Sequence, residues 1–233
     1  MNRIGVSVEE AVEFINEVRN ADYLEFGGVF THLANAEIRE KTQIQIDRWN
    51  KVISQINPEG LLLHILNTAG AMCYDVPNSN MRRAGIALYG LYPDLPDDGK
   101  IRKPDLKPVM SLKARIVNIH EAKDGEGISY GHTFIAHGSR KIATVPLGYA
   151  DGVPRGLSNK ISGCLNGKEV PQVGNITMDQ MMFDITGVDA QLGDVVTLLD
   201  ETHSIDEWAK ILGTINYELT CRLKVRLPRV YTR

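Results

Sequence analysis

The sequence predicts an α/β segment followed by a mostly-β segment. Three observations carry this. Over the first ninety residues, apolar positions at helical spacing alternate with short runs of β-forming residues. From Tyr92 to Lys107 the composition turns to Pro, Asp and Gly, marking a linker. Beyond Pro108, β-type runs separated by Gly-containing turns dominate, with one helical pattern among them. The expected division is 1–92, a linker at 93–107, and 108–233. A length of 233 residues suits one to two domains at about 150 residues each.

Ser7 and Glu10 make a capping box ahead of Val8, Ala11, Val12, Ile15 and Val18, the spacing of one helix face. Leu24–Leu33 reads as a strand that contains Gly27 and Gly28. Residues 38–56 repeat the helical pattern through Trp49, Val52, Ile53 and Ile56, and Pro58 and Gly60 stop it. Leu61–Leu66 reads as a short buried strand, Thr68–Tyr74 as a short helix and Ala84–Leu91 as another strand. Helices and strands in alternation imply parallel strands joined by crossover helices.

In the second half, β-rich runs are expected at Val109–Ile119, Lys141–Leu147, Val170–Ile176, Met181–Ile185 and Val195–Leu199. Ser204 and Glu207 form a second capping box before Trp208, Ala209, Ile211 and Leu212. In the tail, Arg222, Lys224 and Arg226 alternate with Leu223, Val225 and Leu227. This predicts a strand whose basic face is solvated rather than anion-binding.

Charge and composition narrow the function. Lys plus Arg is 26 and Asp plus Glu is 29, so the net charge is −3, poorly suited to general nucleic-acid binding. Three widely spaced cysteines, Cys73, Cys164 and Cys221, argue against a disulfide framework or a structural zinc site and suit a reducing cytoplasm. Neither an apolar leader within Met1–Glu10 nor a run long enough to span a bilayer is expected, and no metal-ligand pattern is read.

Several clusters carry chemistry. His32 ends a strand in T-H-L-A-N and reads either as a structural histidine or as an active-site one, since parallel-barrel sites lie at C-terminal strand ends. Asn67-Thr68 at a strand-to-helix turn reads as an N-cap or as part of a phosphate site. In M-R-R-A-G-I, alternation sends Arg82 and Arg83 to opposite faces, and Gly85 permits close backbone approach. Tyr130 in I-S-Y-G is turn chemistry or an acid/base; the segment Asn175–Gln180 and the string Asn216-Tyr217-Glu218 complete the set.

Taken in order, T-H-L-A-N-A-E, N-T-A-G, M-R-R-A-G-I-A-L-Y-G, S-Y-G-H-T-F, P-L-G-Y-A-D-G-V, T-M-D-Q and N-Y-E resemble the alanine racemases, along the whole chain. The resemblance implies the C-terminal portion of a pyridoxal 5′-phosphate (PLP)-binding (β/α)8 barrel, followed by a mostly-β C-terminal domain, in a homodimer. It implies interconversion of L- and D-alanine for peptidoglycan precursors. Tyr130 matches a catalytic base that reaches the partner's barrel. His32 matches the histidine beside the cofactor ring, hydrogen-bonded to Tyr130 and linked to Arg83, which faces the pyridine nitrogen. Thr68, Gly85, Ile86 and Tyr217 match the phosphate cradle. Arg3 and the amide of Met178 match the substrate carboxylate site, and Tyr149 and Asp179 the substrate entrance.

Three departures accompany it. Thr68 stands where serine is usual, and Arg82 where an apolar residue is usual. The family's PLP lysine, in A-V-V-K-A-x-A-Y-G-H-G, has no counterpart: Lys41 and Lys51 lie on the second helical pattern and the other ten lysines at or beyond Lys100. About three of eight barrel strands are therefore expected, and the chain alone is expected to be inactive. A non-catalytic remnant or interaction module, and within the enzyme class a serine racemase, are the alternatives.

Overall fold

Two units of the chain, Met1–Lys107 and Pro108–Arg233, each close on their own contacts. The computed structural model describes residues 1–99, 101 and 103–232, so Lys100 and Arg102 of the expected linker lie outside the described residues.

In the first unit the Ser7–Glu10 box forms: the Glu10 amide donates to Ser7 Oγ (3.2 Å), and Glu10 Oε2 accepts from the Ser7 amide (3.2 Å) and hydroxyl (2.7 Å). Helix α1 (Ala11–Asn20) follows, with Ile15 its one buried residue. Strand β1 (Gly28–Phe30) is shorter than the expected Leu24–Leu33. Helix α2 (Arg39–Ile53) buries Thr42, Ile46, Trp49, Val52 and Ile53, a stripe at spacings of four and three. Strand β2 (Leu62–His64) pairs in parallel with β1, Val29 opposite Leu63. A Cβ on Gly28 would lie 2.2 Å from the Leu62 carbonyl oxygen, so the pair closes only on glycine. Helix α3 (Thr68–Cys73) is capped by Asn67, whose side chain accepts from the Gly70 amide at 2.9 Å.

Leu33, Ile46, Trp49, Ile53, Leu63, Ile65 and Leu66 form the core of this unit. Each large side chain buried there contributes roughly 1.5–3 kcal/mol. Phe30 and Leu62 alternate with these positions on the strands and are half exposed. The strand expected at Ala84–Leu91 is not formed. A single parallel bridge joins Leu66 and Arg82, and the chain then turns through a 3-10 segment, Ile86–Tyr89. Glycines decide this: Gly85 (φ −114°, ψ −98°) leaves the extended region, and Gly90 (φ 74°) closes the turn in the left-handed region.

The second unit is an antiparallel sheet of seven strands: β3 (Leu112–Arg115), β4 (Asn118–Ala122), β7 (Arg140–Val145), β8 (Ser162–Leu165), β9 (Lys168–Val173), β10 (Met181–Asp184) and β11 (Val195–Leu199). Their order is β3-β11-β8-β9-β10-β7-β4. A small hairpin of β5 (Gly127–Ile128) and β6 (Phe134–Ile135) stands beside it in sequence. Asn166 (φ 50°) and Gly167 (φ 77°) supply the two-residue turn between β8 and β9. Ile142, Ala143, Val145, Leu165, Met181, Phe183 and Leu198 are fully buried.

Helix α4 (Ile205–Leu212) is capped by Ser204, whose hydroxyl accepts from the Asp206 amide, not from Glu207. Asp200, in the turn before it, keeps an acidity well above an ordinary carboxyl: burial opposes this, but hydrogen bonds from Thr202 and His203 outweigh it. Helix α5 (Asn216–Arg222) replaces the first part of the expected tail strand. Arg222 pairs with Glu218 one helical turn back, and residues 223–227 run as a turn whose Lys224 amide donates to the Asp151 carbonyl. Among the described residues no helix is long and apolar enough to cross a membrane.

Candidate active site

Arg83 organises the first unit's site at the C-terminal ends of β1 and β2. Its amide donates to the Leu66 carbonyl (2.9 Å), which sets the backbone. Its guanidinium donates to the carbonyls of Thr31 (2.8 Å), His64 (3.0 Å) and Ile65 (3.4 Å). It also meets Nδ1 of His64 and, at 3.4 Å, Nδ1 of His32. Phe30 stacks on the His64 ring at 5.2 Å, and Arg83 lies over Phe30 at 5.7 Å. A planar fork of five donors suits such a set of divergent acceptors, where a lysine would be a point charge.

These contacts fix protonation. Burial first, then the charge of Arg83, holds both His32 and His64 below the ordinary histidine value of 6.5; Arg3 lowers His32 further. Neutral rings accept hydrogen bonds from the arginine. His32 Nε2 also faces the Asn67 side-chain amide at 3.4 Å, and a neutral imidazole accepts from only one of these two donors at a time. Burial lowers Arg83 as well, from a value so high that it stays charged.

Beside this group lie Thr68 and Gly85. The Gly85 amide donates to Thr68 Oγ1 at 2.8 Å, which leaves the hydroxyl proton of buried Thr68 to donate elsewhere. A Cβ on Gly85 would meet only Thr68 Oγ1, at 3.6 Å, so the protein leaves that space open. Ile86 begins the 3-10 turn, where first amides lack a partner within the turn. A hydroxyl and backbone amides around an open space are the donor chemistry a phosphate dianion needs. The residues present therefore fit the phosphate of PLP.

In the second unit the expected residues gather around the segment 174–180. Tyr130 is three-quarters exposed, and its carbonyl accepts from the Asn175 side chain at 2.7 Å. Ser129 before it has φ 65° and ψ −175°, a conformation almost confined to glycine. Its hydroxyl donates to the Asn175 carbonyl at 2.6 Å. Gly131 (φ 70°) and His132 (φ 45°) continue the strained turn. Tyr149 and Met178 are brought together by backbone bonds: the Tyr149 amide donates to the Thr177 carbonyl and the Ala150 amide to that of Met178, both at 3.0 Å. A Cβ on Gly148 would lie 2.3 Å from the Thr177 oxygen. Asp179 pairs with Arg226 (2.7 Å), and so does buried Asp151 (2.6 Å). Thus Arg222 and Arg226 of the expected basic face are half-exposed and ion-paired, and they lie on a helix end and a turn rather than along a strand.

Tyr217, on α5, belongs to this second unit, whereas Thr68, Gly85, Ile86 and exposed Arg3 belong to the first. The expected His32–Tyr130 bond joins residues of different units. Sequence reasoning missed His64, whose only signal is its place at a strand end, and gave no role to Asp151 and Arg226, whose pairing runs through turns no local pattern announces.

A parallel-strand α/β unit and an antiparallel β-rich unit are the two parts of a known two-domain fold, barrel-like and then β-rich. Residues 1–93 match the family "Alanine racemase, N-terminal domain", and residues 109–231 match "Alanine racemase, C-terminal domain". The chain belongs to the alanine racemase family. It is 41% identical over 240 residues to the alanine racemase of Nostoc sp., covering 99% of this chain and 61% of that protein. With that of Halothermothrix orenii it shares 40% over 243 residues, covering 99% and 63%. Alanine racemase of Clostridium difficile 630 superposes with a TM-score of 0.89 at 38% identity, covering 100% of this chain and 62% of that one. The enzyme from E. faecalis gives 0.89 at 33%, covering 100% and 63%. The chain therefore spans about three-fifths of the length of these relatives.

Proposed function

We propose that residues 1–233 are the larger part of a PLP-dependent alanine racemase that interconverts L- and D-alanine in the cytoplasm and supplies D-alanine for peptidoglycan. The observation that carries this reading is Arg83, locked by three carbonyls at the strand ends between two histidines and close in sequence to the hydrogen-bonded Thr68–Gly85 pair.

Bound PLP supplies the electron withdrawal that makes the α-hydrogen of the amino acid acidic. Thr68 would hold the phosphate through its hydroxyl proton, Ile86 through its amide and Gly85 by leaving room, and Tyr217 would join them as the family resemblance implies. Arg83 stays protonated and would donate toward the pyridine nitrogen without releasing its proton, which would limit electron withdrawal and so restrain side reactions such as transamination. His32 would stand beside the ring and link Arg83 to Tyr130, as the family resemblance implies. In a homodimer, the phenol of Tyr130 removes or returns the Cα proton on the L-alanine side. Arg3 and the amide of Met178 orient the carboxylate, and Tyr149 and Asp179 line the way in. The base on the opposite face is not among residues 1–233.

The test joins residues 1–233 to a relative's N-terminal segment that carries the lysine, and follows D-alanine formed from L-alanine. Turnover on the order of 10 per second is expected, with none from residues 1–233 alone. Thr68→Val should weaken PLP retention while Thr68→Ser preserves it. A joined polypeptide that binds PLP yet leaves alanine unchanged while racemising serine would sink the proposal.

A further inference from the structure

Arg226 lies far along the chain from Tyr149 and Met178, yet its side chain is joined to both of their loops. Its Nε donates to Asp151 Oδ1 (2.6 Å), and its Nη2 to Asp179 Oδ1 (2.7 Å). Asp151 is buried, and its other oxygen accepts from the Gly148 amide at 2.9 Å, so the carboxylate spans the 148–152 turn from within. Asp179 is exposed and follows Met178 directly. The two loops are already zipped by the Tyr149 and Ala150 amides, but these bonds fix only their backbones at one edge. The tail that brings Arg226 is itself pressed into place: the Lys224 amide donates to the Asp151 carbonyl, and a Cβ on Gly152 would lie 2.2 Å from the Arg222 oxygen.

We propose that Arg226 is a positioning residue for the substrate side, a C-terminal fork that holds the Tyr149 loop and the Met178 turn in one register. The proposal rests on the reading that Met178 and Tyr149 face the substrate. A buried carboxylate needs a compensating charge, and Asp151 finds it in Arg226. The second arm of the same guanidinium carries that anchorage across to Asp179. Planarity matters, since two divergent N–H groups of one rigid group set the separation of the carboxylates, and an ammonium does not. Arg226 needs no contact with substrate to act in this way; it sets where the Met178 amide points.

Two measurements test it on Arg226→Gln and Arg226→Lys. Hydrogen–deuterium exchange on the full chain should show faster exchange of the Tyr149 and Ala150 amides in Arg226→Gln and partial recovery in Arg226→Lys. In the lysine-bearing racemase, Arg226→Gln should raise KM for alanine about tenfold with kcat within about twofold, the pattern of lost positioning in binding. Arg226→Lys should recover part of that. Unchanged exchange in Arg226→Gln overturns the fork, whatever the activity. Faster exchange with unchanged KM overturns its link to substrate, provided that Tyr149→Ala and Met178→Pro do raise KM. Should those two variants leave KM unchanged as well, the substrate-side reading of the loops fails instead, and the proposal falls with it. A fall in kcat at constant KM would also refute positioning in binding.

Discussion

Replacing Ser129 by glycine and, separately, by alanine isolates the strain that presents Tyr130. Both variants lose the hydroxyl bond to the Asn175 carbonyl, worth about 0.5–1.5 kcal/mol. They differ only in the Cβ held at φ 65° and ψ −175°. The backbone there has little freedom to relax, because a Cβ added to Gly174 would lie 2.7 Å from the Ile128 oxygen, so the two turns are in close contact. A non-glycine residue in this region costs about 1–3 kcal/mol. Glycine avoids that but loses about 0.5–1 kcal/mol of unfolded-state entropy. Ser129→Gly should therefore be more stable than Ser129→Ala by about 1–2 kcal/mol, reversing the usual order of these residues. Urea denaturation followed at Trp208, in a Trp49→Phe background, reads the second unit alone; an m-value of about 1–3 kcal/mol/M makes the difference about 0.5–1 M in midpoint. An alanine variant as stable as the glycine variant, or more so, would show that no strain is stored at Ser129.

Three further outcomes are expected. Gly148→Ala places a methyl against the Thr177 and Met178 oxygens and should destabilise the second unit by more than about 2 kcal/mol in the same assay; a neutral effect would mean the loops can part. Stability of the first unit, followed at Trp49, should rise with pH. His32 and His64 are held below 6.5 in the folded state by burial and then Arg83, so the unfolded chain binds more protons. Their contribution is complete above 6.5 and is lost as pH falls through the lower folded values. His64→Asn should flatten that slope, and an unchanged profile would refute the assignment. Tyr130→Phe in the lysine-bearing racemase should lower racemisation about 10²–10⁴-fold and spare α-hydrogen exchange from D-alanine more than from L-alanine. Equal, undiminished exchange from both enantiomers removes Tyr130 from the mechanism.

Helices α1 to α4 were legible because their signals are local. The apolar stripe of α2 reads directly from Trp49, Val52 and Ile53, and the Ser7–Glu10 box reads from two residues three apart. Strands were legible as runs but not in extent. Leu24–Leu33 shrank to three residues because only Gly28–Phe30 has a partner strand, and pairing is non-local. Ala84–Leu91 misled because β-type side chains flank two glycines whose backbone angles bend the chain into a turn. The tail misled for a related reason. Period-two alternation from Arg222 to Leu227 has no strand to pair with, and the Glu218–Arg222 pair favours the helix instead.

The site shows why some roles cannot be read from local sequence. Arg82 and Arg83 are chemically the same in the string M-R-R-A-G, and only the fold separates them: Arg82 makes the bridge to Leu66, while Arg83 turns its side chain onto the ends of β1 and β2. What Arg83 meets there decides its use. Its hydrogen-bond partners in the structure are carbonyl oxygens and imidazole nitrogens. A carboxylate would fix the guanidinium equally well but would cancel its charge. Carbonyl dipoles fix the geometry and leave the net charge in place, and that charge, after burial, helps hold His32 and His64 below the ordinary histidine value. Two lowered histidines beside an arginine whose charge no carboxylate cancels suit the role proposed for Arg83, donation to a ring nitrogen without loss of its own proton.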